Sequence, residues 1–114
     1  NSDHIIEVKW SEALTEIEKE HLINLTTIIK ELGHGKKMLV YIDTYNFMAI
    51  TSEAREYAAT KEASQYTLAN AVLVDSLPKK ILFNFYMKIN KPVVQTKGFS
   101  TKESAMNWLK EWQF

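Results

Sequence analysis

A chain of 114 residues at 46% hydrophobic content is the right size for one domain with its own core, and no linker or low-complexity tract divides it. Lysine and arginine number 14 and so do aspartate and glutamate, so no overall field draws in nucleic acid or an acidic surface. The absence of cysteine excludes thiol catalysis, cysteine-ligated zinc and disulfides, and fits a reducing cytoplasm; the chain opens at Asn1, so a leader could have been removed.

Ile5 to Trp10 alternates, with Ile6, Val8 and Trp10 on one side and Glu7 and Lys9 on the other, as a half-exposed strand does. Leu14 to Leu32 has helical spacing through Leu14, Ile17, His21, Leu25, Ile28, Ile29 and Leu32. Thr15 with Glu18 has capping-box spacing, and Gly33 is placed to end the helix in a left-handed backbone. Met38 to Ile42 is an unbroken apolar run, which predicts a central parallel strand closing at Asp43. Thr44 to Ile50 reads as a loop. Thr51 or Ser52 can cap a helix running to about Thr60, with Glu53 near its positive end and Ala54, Tyr57 and Ala58 facing inward. Lys61 to Leu68 extends that helix or breaks into a turn.

Ala71 to Val74 is a second short apolar run, expected to be a strand covered on both faces. Asp75 and Ser76 stop it, Ser76 caps the next helix, and Pro78 sits in a first turn where a missing N–H costs little. From Leu77 to Ile89 the polar residues Lys80, Asn84 and Lys88 form one narrow stripe, and Ile81, Phe85 and Ile89 form another row. Leu82, Phe83, Tyr86 and Met87 fill the flanks. A helix on a sheet needs a single apolar stripe, so this one is expected to meet something besides its own sheet. Asn90-Lys91-Pro92 is a turn, and Val93 to Phe99, carrying Gln95 and Lys97, reads as a strand nearer the edge. Ser100 and Glu103 have capping-box spacing before a last helix with Ala105, Trp108, Leu109 and Trp112 on one side. The order β-α-β-α-β-α-β-α predicts an α/β fold with a mainly parallel sheet.

The segments LVYIDTYNFMAITSEAREYAA and NAVLVDSLPKKILFNFYMKINKPVVQTKGFSTKESAMNWLK resemble a group of small bacterial proteins called SpoIIAA-like, or STAS-type. The resemblance covers Met38 to Trp112. It implies a βα superhelix of four or five mainly parallel strands with about four helices, shared by anti-anti-sigma factors and more distantly by CRAL-TRIO lipid-transfer domains. Members begin with one strand ahead of the one placed at Ile5, so a trimmed or shortened chain is implied. Their phosphorylated serine lies at the start of the helix after the central strand. An ungapped register from Asp43 sets Thr51, Ser52, Glu53 and Ala54 there, with Glu53 at the acceptor position. The chain departs from the family at that turn, and simple capping is the better reading.

Open α/β sheets bind ligands outside the carboxyl ends of their strands. The expected rim holds Asp43, Asn46, Thr51, Ser52, Glu53, Asp75 and Ser76, and it offers a small-ligand site, nucleotide or lipid-like, as the alternative function. Against an anion there stand Asp43 and Asp75, and Asp or Ser after a strand commonly just turns and caps. His4, His21 and His34 are dispersed without metal-ligand spacing, and no nucleophile elbow, P-loop or dinucleotide fingerprint occurs. No catalytic residue, metal or cofactor is expected, and no apolar run reaches the ~18–20 residues of a membrane span. The leading reading is a non-enzymatic cytoplasmic domain that binds a protein partner or itself. Its interface candidates are Phe83, Tyr86 and Met87 as an exposed patch, with Lys79 and Lys80 at the edge. In the opposing reading neighbouring helices cover the patch, notably through Trp108 or Trp112.

Overall fold

A computed structural model describes residues 5–10, 16–43 and 49–112. Four parallel strands, β1 (Ile5–Lys9), β3 (Met38–Asp43), β5 (Thr67–Leu73) and β6 (Gln95–Phe99), form one sheet in the order β1-β3-β5-β6. Helices α1 (Lys19–Leu32), α2 (Ser52–Ala58) and α3 (Leu77–Phe85) connect them, and α4 (Lys102–Lys110) follows the last. Thus the α/β architecture with a parallel sheet and four helices is as the alternation predicts. A second sheet consists of β2 (Glu16–Ile17) and β4 (Ala49–Ile50), also parallel.

Each parallel strand has to be covered on both faces, and the alternation of side chains decides by what. Ile5, Leu39, Tyr41, Ala69 and Ala71 share a core with Ala105 and Leu109, so among the described residues α4 is the helix that covers that face. The register aligns Ile5, Leu39 and Ala69, then Glu7, Tyr41 and Ala71, and the alanines let α4 come close. Phe99, Trp108 and Trp112 extend this layer, with ring centroids 5.6 and 5.8 Å apart in succession. Ile6, Val8, Met38 and Val40 point the other way, against Ile29 of α1. There α2 and α3 lie beside α1, because Phe83 of α3 meets Gly98 and Val74 on the same face: a Cβ on Gly98 would stand 2.9 Å from its ring. Trp108 and Trp112 are therefore on the wrong face to cover α3.

Several boundaries differ from the sequence reading. Residues 14 and 15, and with them the Thr15 end of the expected capping box, lie outside the described residues. The box that forms has the same spacing three residues later. The Glu18 carboxylate accepts from the His21 N–H, and His21 Nδ1 accepts from the Glu18 N–H at 2.9 Å. Helix α1 starts late because Glu16 and Ile17 are extended and paired to β4, and Ile17 is buried as a strand residue. Gly33 is not left-handed; His34 and Gly35 are, at φ 53° and 81°. Gly33 is required for space instead, since a Cβ there would meet Met38 Cγ at 2.6 Å. Ile28 and Leu32, expected inward on α1, are exposed. The ambiguous Lys61–Leu68 turns and then begins β5 at Thr67. Thr51, Ser76 and Thr101 cap α2, α3 and α4 by accepting from the N–H three residues on, so the last cap is Thr101 rather than Ser100.

Leu109 is fully buried and, with Ala105, is what α4 contributes to the buried core on this face. Leu109→Ala is expected to lower the unfolding free energy in urea by about 2–5 kcal/mol with no change in slope. A loss below about 1 kcal/mol would mean that α4 does not close this face.

Candidate functional site

The greasy helix is built in two parts. Ser76 Oγ accepts from the Lys79 N–H, Pro78 occupies the first turn, and α3 runs to Phe85. Tyr86–Asn90 then widens into a π turn, which Lys91 ends in a left-handed backbone at φ 51°. Single π turns of this kind often mark functional positions in helices.

The two sides of this helix differ in surroundings, though both are apolar. On the inner side Leu82, Phe83 and Tyr86 border a cavity between α1, α2, α3 and the sheet. Burial pushes the Tyr86 phenol up to about 12. On the outer side Leu77, Ile81, Phe85 and Ile89, spaced four apart, are 69%, 61%, 45% and 58% exposed. Val93, beyond the turn, is 65% exposed. The surplus of apolar surface expected from the sequence exists, but on a different row from the interface candidates. Phe83, Tyr86 and Met87 are half-buried, which corrects their assignment to an exposed patch.

Lys79 is also corrected. Rather than edging a surface patch, it is buried, and its Nζ donates to Asp75 Oδ1 at 2.8 Å. The Lys79 hydrogen bond holds the Asp75 carboxyl below its ordinary 3.8. Lys80 and Lys88 remain exposed beside the outer row, together with Lys91.

At the strand-end rim the structure keeps Asp43 at the end of β3 and Asp75 just beyond β5. Asn46 lies outside the described residues, as do Thr44, Tyr45, Phe47 and Met48. Thr51 and Ser76 use their hydroxyls as helix caps, while Ser52 and Glu53 are exposed in the first turn of α2. Among the described rim residues, then, Thr51 and Ser76 are caps and Asp75 is an ion-pair partner, and no group of them could hold a metal ion.

The cavity is the feature that sequence reasoning missed. It holds about 190 Å³ and is walled by Leu25 and Ile29 of α1, Val72 of the sheet, and Leu82 and Phe83 of α3. Its polar lining includes Asn70, Lys79 and Arg55, the chain's only arginine. Arg55 Nη1 donates to the Ile50 carbonyl at 2.8 Å, and the guanidinium lies 5.1 Å from the Phe85 ring centroid. Its Nε is buried and has no hydrogen-bond partner. A buried donor left so costs about 1–3 kcal/mol in general. Tyr41 Oη, on the α4 side, is likewise buried without a partner, and burial with nearby Asp43 pushes that phenol up to about 12. The lone arginine in EAREYA was the available signal for the cavity, but a helix-surface reading of that segment conceals it.

The model of one protein family, described as a domain of unknown function (DUF7793), matches residues 1–113, nearly the whole chain. The chain belongs to that family. No curated protein and no solved structure matches this DUF7793 domain. Among the described residues, no helix is long and apolar enough to cross a membrane.

Because the folded carboxyl of Asp75 is lowered, the Asp75–Lys79 pair contributes stability above pH 3.8 and loses it as pH falls through the lowered value. Asp75→Asn should therefore reduce Tm at neutral pH, and its deficit against the wild type should close in acid below 3.8. A deficit that persists unchanged into strong acid would show that the ion pair does not link Asp75 to folding.

Proposed function

We propose that this DUF7793 domain is a STAS-like, non-enzymatic cytoplasmic module that docks a partner protein on the outer face of α3. One observation carries the reading: Leu77, Ile81 and Phe85 form an exposed row along α3, and Ile89 in the π turn that follows is exposed as well. Large side chains exposed singly are ordinary; a run of this kind is the sort of patch that interfaces bury. It costs free energy in water, and the Arg55 guanidinium over Phe85 covers only one end of it.

The charges beside it select the partner. Lys80, Lys88 and Lys91 border the row, and Leu77–Asn90 contains no acidic residue. A second copy laid on the same row would bring lysines against lysines, and such like-charge contacts disfavour association. The surface suits a protein that presents an apolar ridge bordered by carboxylates. Attraction of that kind speeds encounter and weakens as salt screens it.

The test is affinity capture with the wild type, Ile81→Asp and the double variant Lys80→Glu/Lys88→Glu, followed by binding of the captured protein in purified form. The expected partner is retained by the wild type, lost with Ile81→Asp, weakened by the charge reversal, and weakened again as salt rises. Ile81 is exposed, so its replacement should leave Tm nearly unchanged. The proposal fails if no purified partner distinguishes the wild type from Ile81→Asp. It fails equally if sedimentation shows a dimer through this row, or if the row binds anionic vesicles in place of any protein.

A further inference from the structure

The space beneath α3 is a separate matter from the row on its outside. An apolar void of about 150 Å³ is enough to admit benzene, and pockets for drug-sized ligands begin near 300 Å³. At about 190 Å³ the space between α1, α2, α3 and the sheet falls between these sizes, so it fits one ring or a short chain. Leu25 and Ile29 of α1, Leu82 and Phe83 of α3, and Val72 of the sheet give it apolar walls.

The floor carries an exception. Strand β5 is interior, paired to β3 and β6, and its register sets Asn70 in line with Val40 and Thr96, beside the row of Ile42, Val72 and Gly98. Asparagine is depleted in strands, and an amide facing an apolar space costs free energy unless something bonds it. Ala69 and Ala71, on the opposite face, are fully buried, whereas Asn70 is only half-buried. Pairing on both sides covers its backbone, so the surface that remains belongs to the side chain, which lines the cavity. That carboxamide makes no hydrogen bond among the described residues. Thr96 beside it differs, because its hydroxyl donates to the Val94 carbonyl at 2.9 Å.

A carboxamide offers an acceptor and two donors side by side. A ligand group meets both kinds at once when it carries a donor and an acceptor on one carbon, as a primary amide does. An ionised carboxylate brings no donor, and its burial between apolar walls costs more. Lys79, the buried cation of the wall, already has Asp75 at 2.8 Å. We infer that this cavity binds a small uncharged primary amide, its apolar body among Leu25, Ile29, Val72 and Phe83 and its head paired with the Asn70 carboxamide. The inference does not depend on the docking row, and either can fail without the other.

Benzamide provides the probe, with toluene as its apolar match and benzoate as its charged one. Benzamide should raise Tm of the full chain, because it binds the folded form alone. By calorimetry, Asn70→Leu should weaken benzamide about tenfold, the worth of two net hydrogen bonds, and leave toluene unweakened. Ala58→Leu, which fills the space from α2, should weaken both ligands, and benzoate should bind the wild type less tightly than benzamide. Should Asn70→Leu not fold, the benzamide Tm shift and its loss in Ala58→Leu decide the question. No Tm shift with benzamide (the result if Asn70 holds only water), benzamide binding indifferent to Asn70→Leu or to Ala58→Leu, or tighter binding of benzoate would each overturn the inference.

Discussion

A parallel sheet leaves neither face to solvent, and that constraint governs the whole molecule. On one side α4 is the covering helix among the described residues, because Ala69 and Ala71 give it room to settle and Leu109 fills the middle. On the other side three helices share the work. Helix α1 brings Ile29 down onto Val40 and Met38, and α3 brings Phe83 against Gly98. Between them the coverage is incomplete, which leaves the cavity, and α3 carries a second apolar row that the sheet cannot reach.

The same helix therefore has two unfinished tasks. Its inner side borders a space of about 190 Å³, too small for a large ligand. Its outer side presents Leu77, Ile81, Phe85 and Ile89 to water, and Leu77–Asn90 carries lysines and no acidic residue. Arg55 stands between the two, lining the cavity while stacking on Phe85 of the exposed row. The burial of Lys79 shows how far the inner side is reserved: the fold accepts a buried ammonium there and matches it with Asp75 from the preceding loop.

Much of the architecture is legible in the sequence because its signals are local. The apolar run Met38–Ile42 has no alternation to satisfy a half-exposed strand, and Ser76-Leu77-Pro78 combines a cap with a proline where both are tolerated. Other elements depend on distant partners. Glu16–Ile17 and Ala49–Ile50 are too short to carry a period, and only their pairing with each other makes them strands. Thr67 to Asn70 precedes the apolar run Ala71–Val74 that marks the strand in the sequence, yet β3 pairs with it and makes it the start of an interior strand. The surplus on α3 can be counted from sequence, whereas its direction cannot. A helix apolar nearly all round gives no preferred face, so its pattern allows Phe83 and Tyr86 to point outward, where the fold instead puts Ile81 and Phe85. A lysine four residues after an aspartate is the one clue to the true orientation, since the pair can be buried together.

The central claim is that the two rows of α3 do different jobs, one for the fold and one for something outside it. Urea unfolding of Phe83→Ala and Ile81→Ala, taken side by side, tests it most directly. The account predicts a loss of about 2 kcal/mol or more for Phe83→Ala and a change within about 0.5 kcal/mol for Ile81→Ala. Comparable losses from both would contradict it, because the outer row would then be part of the chain's own core.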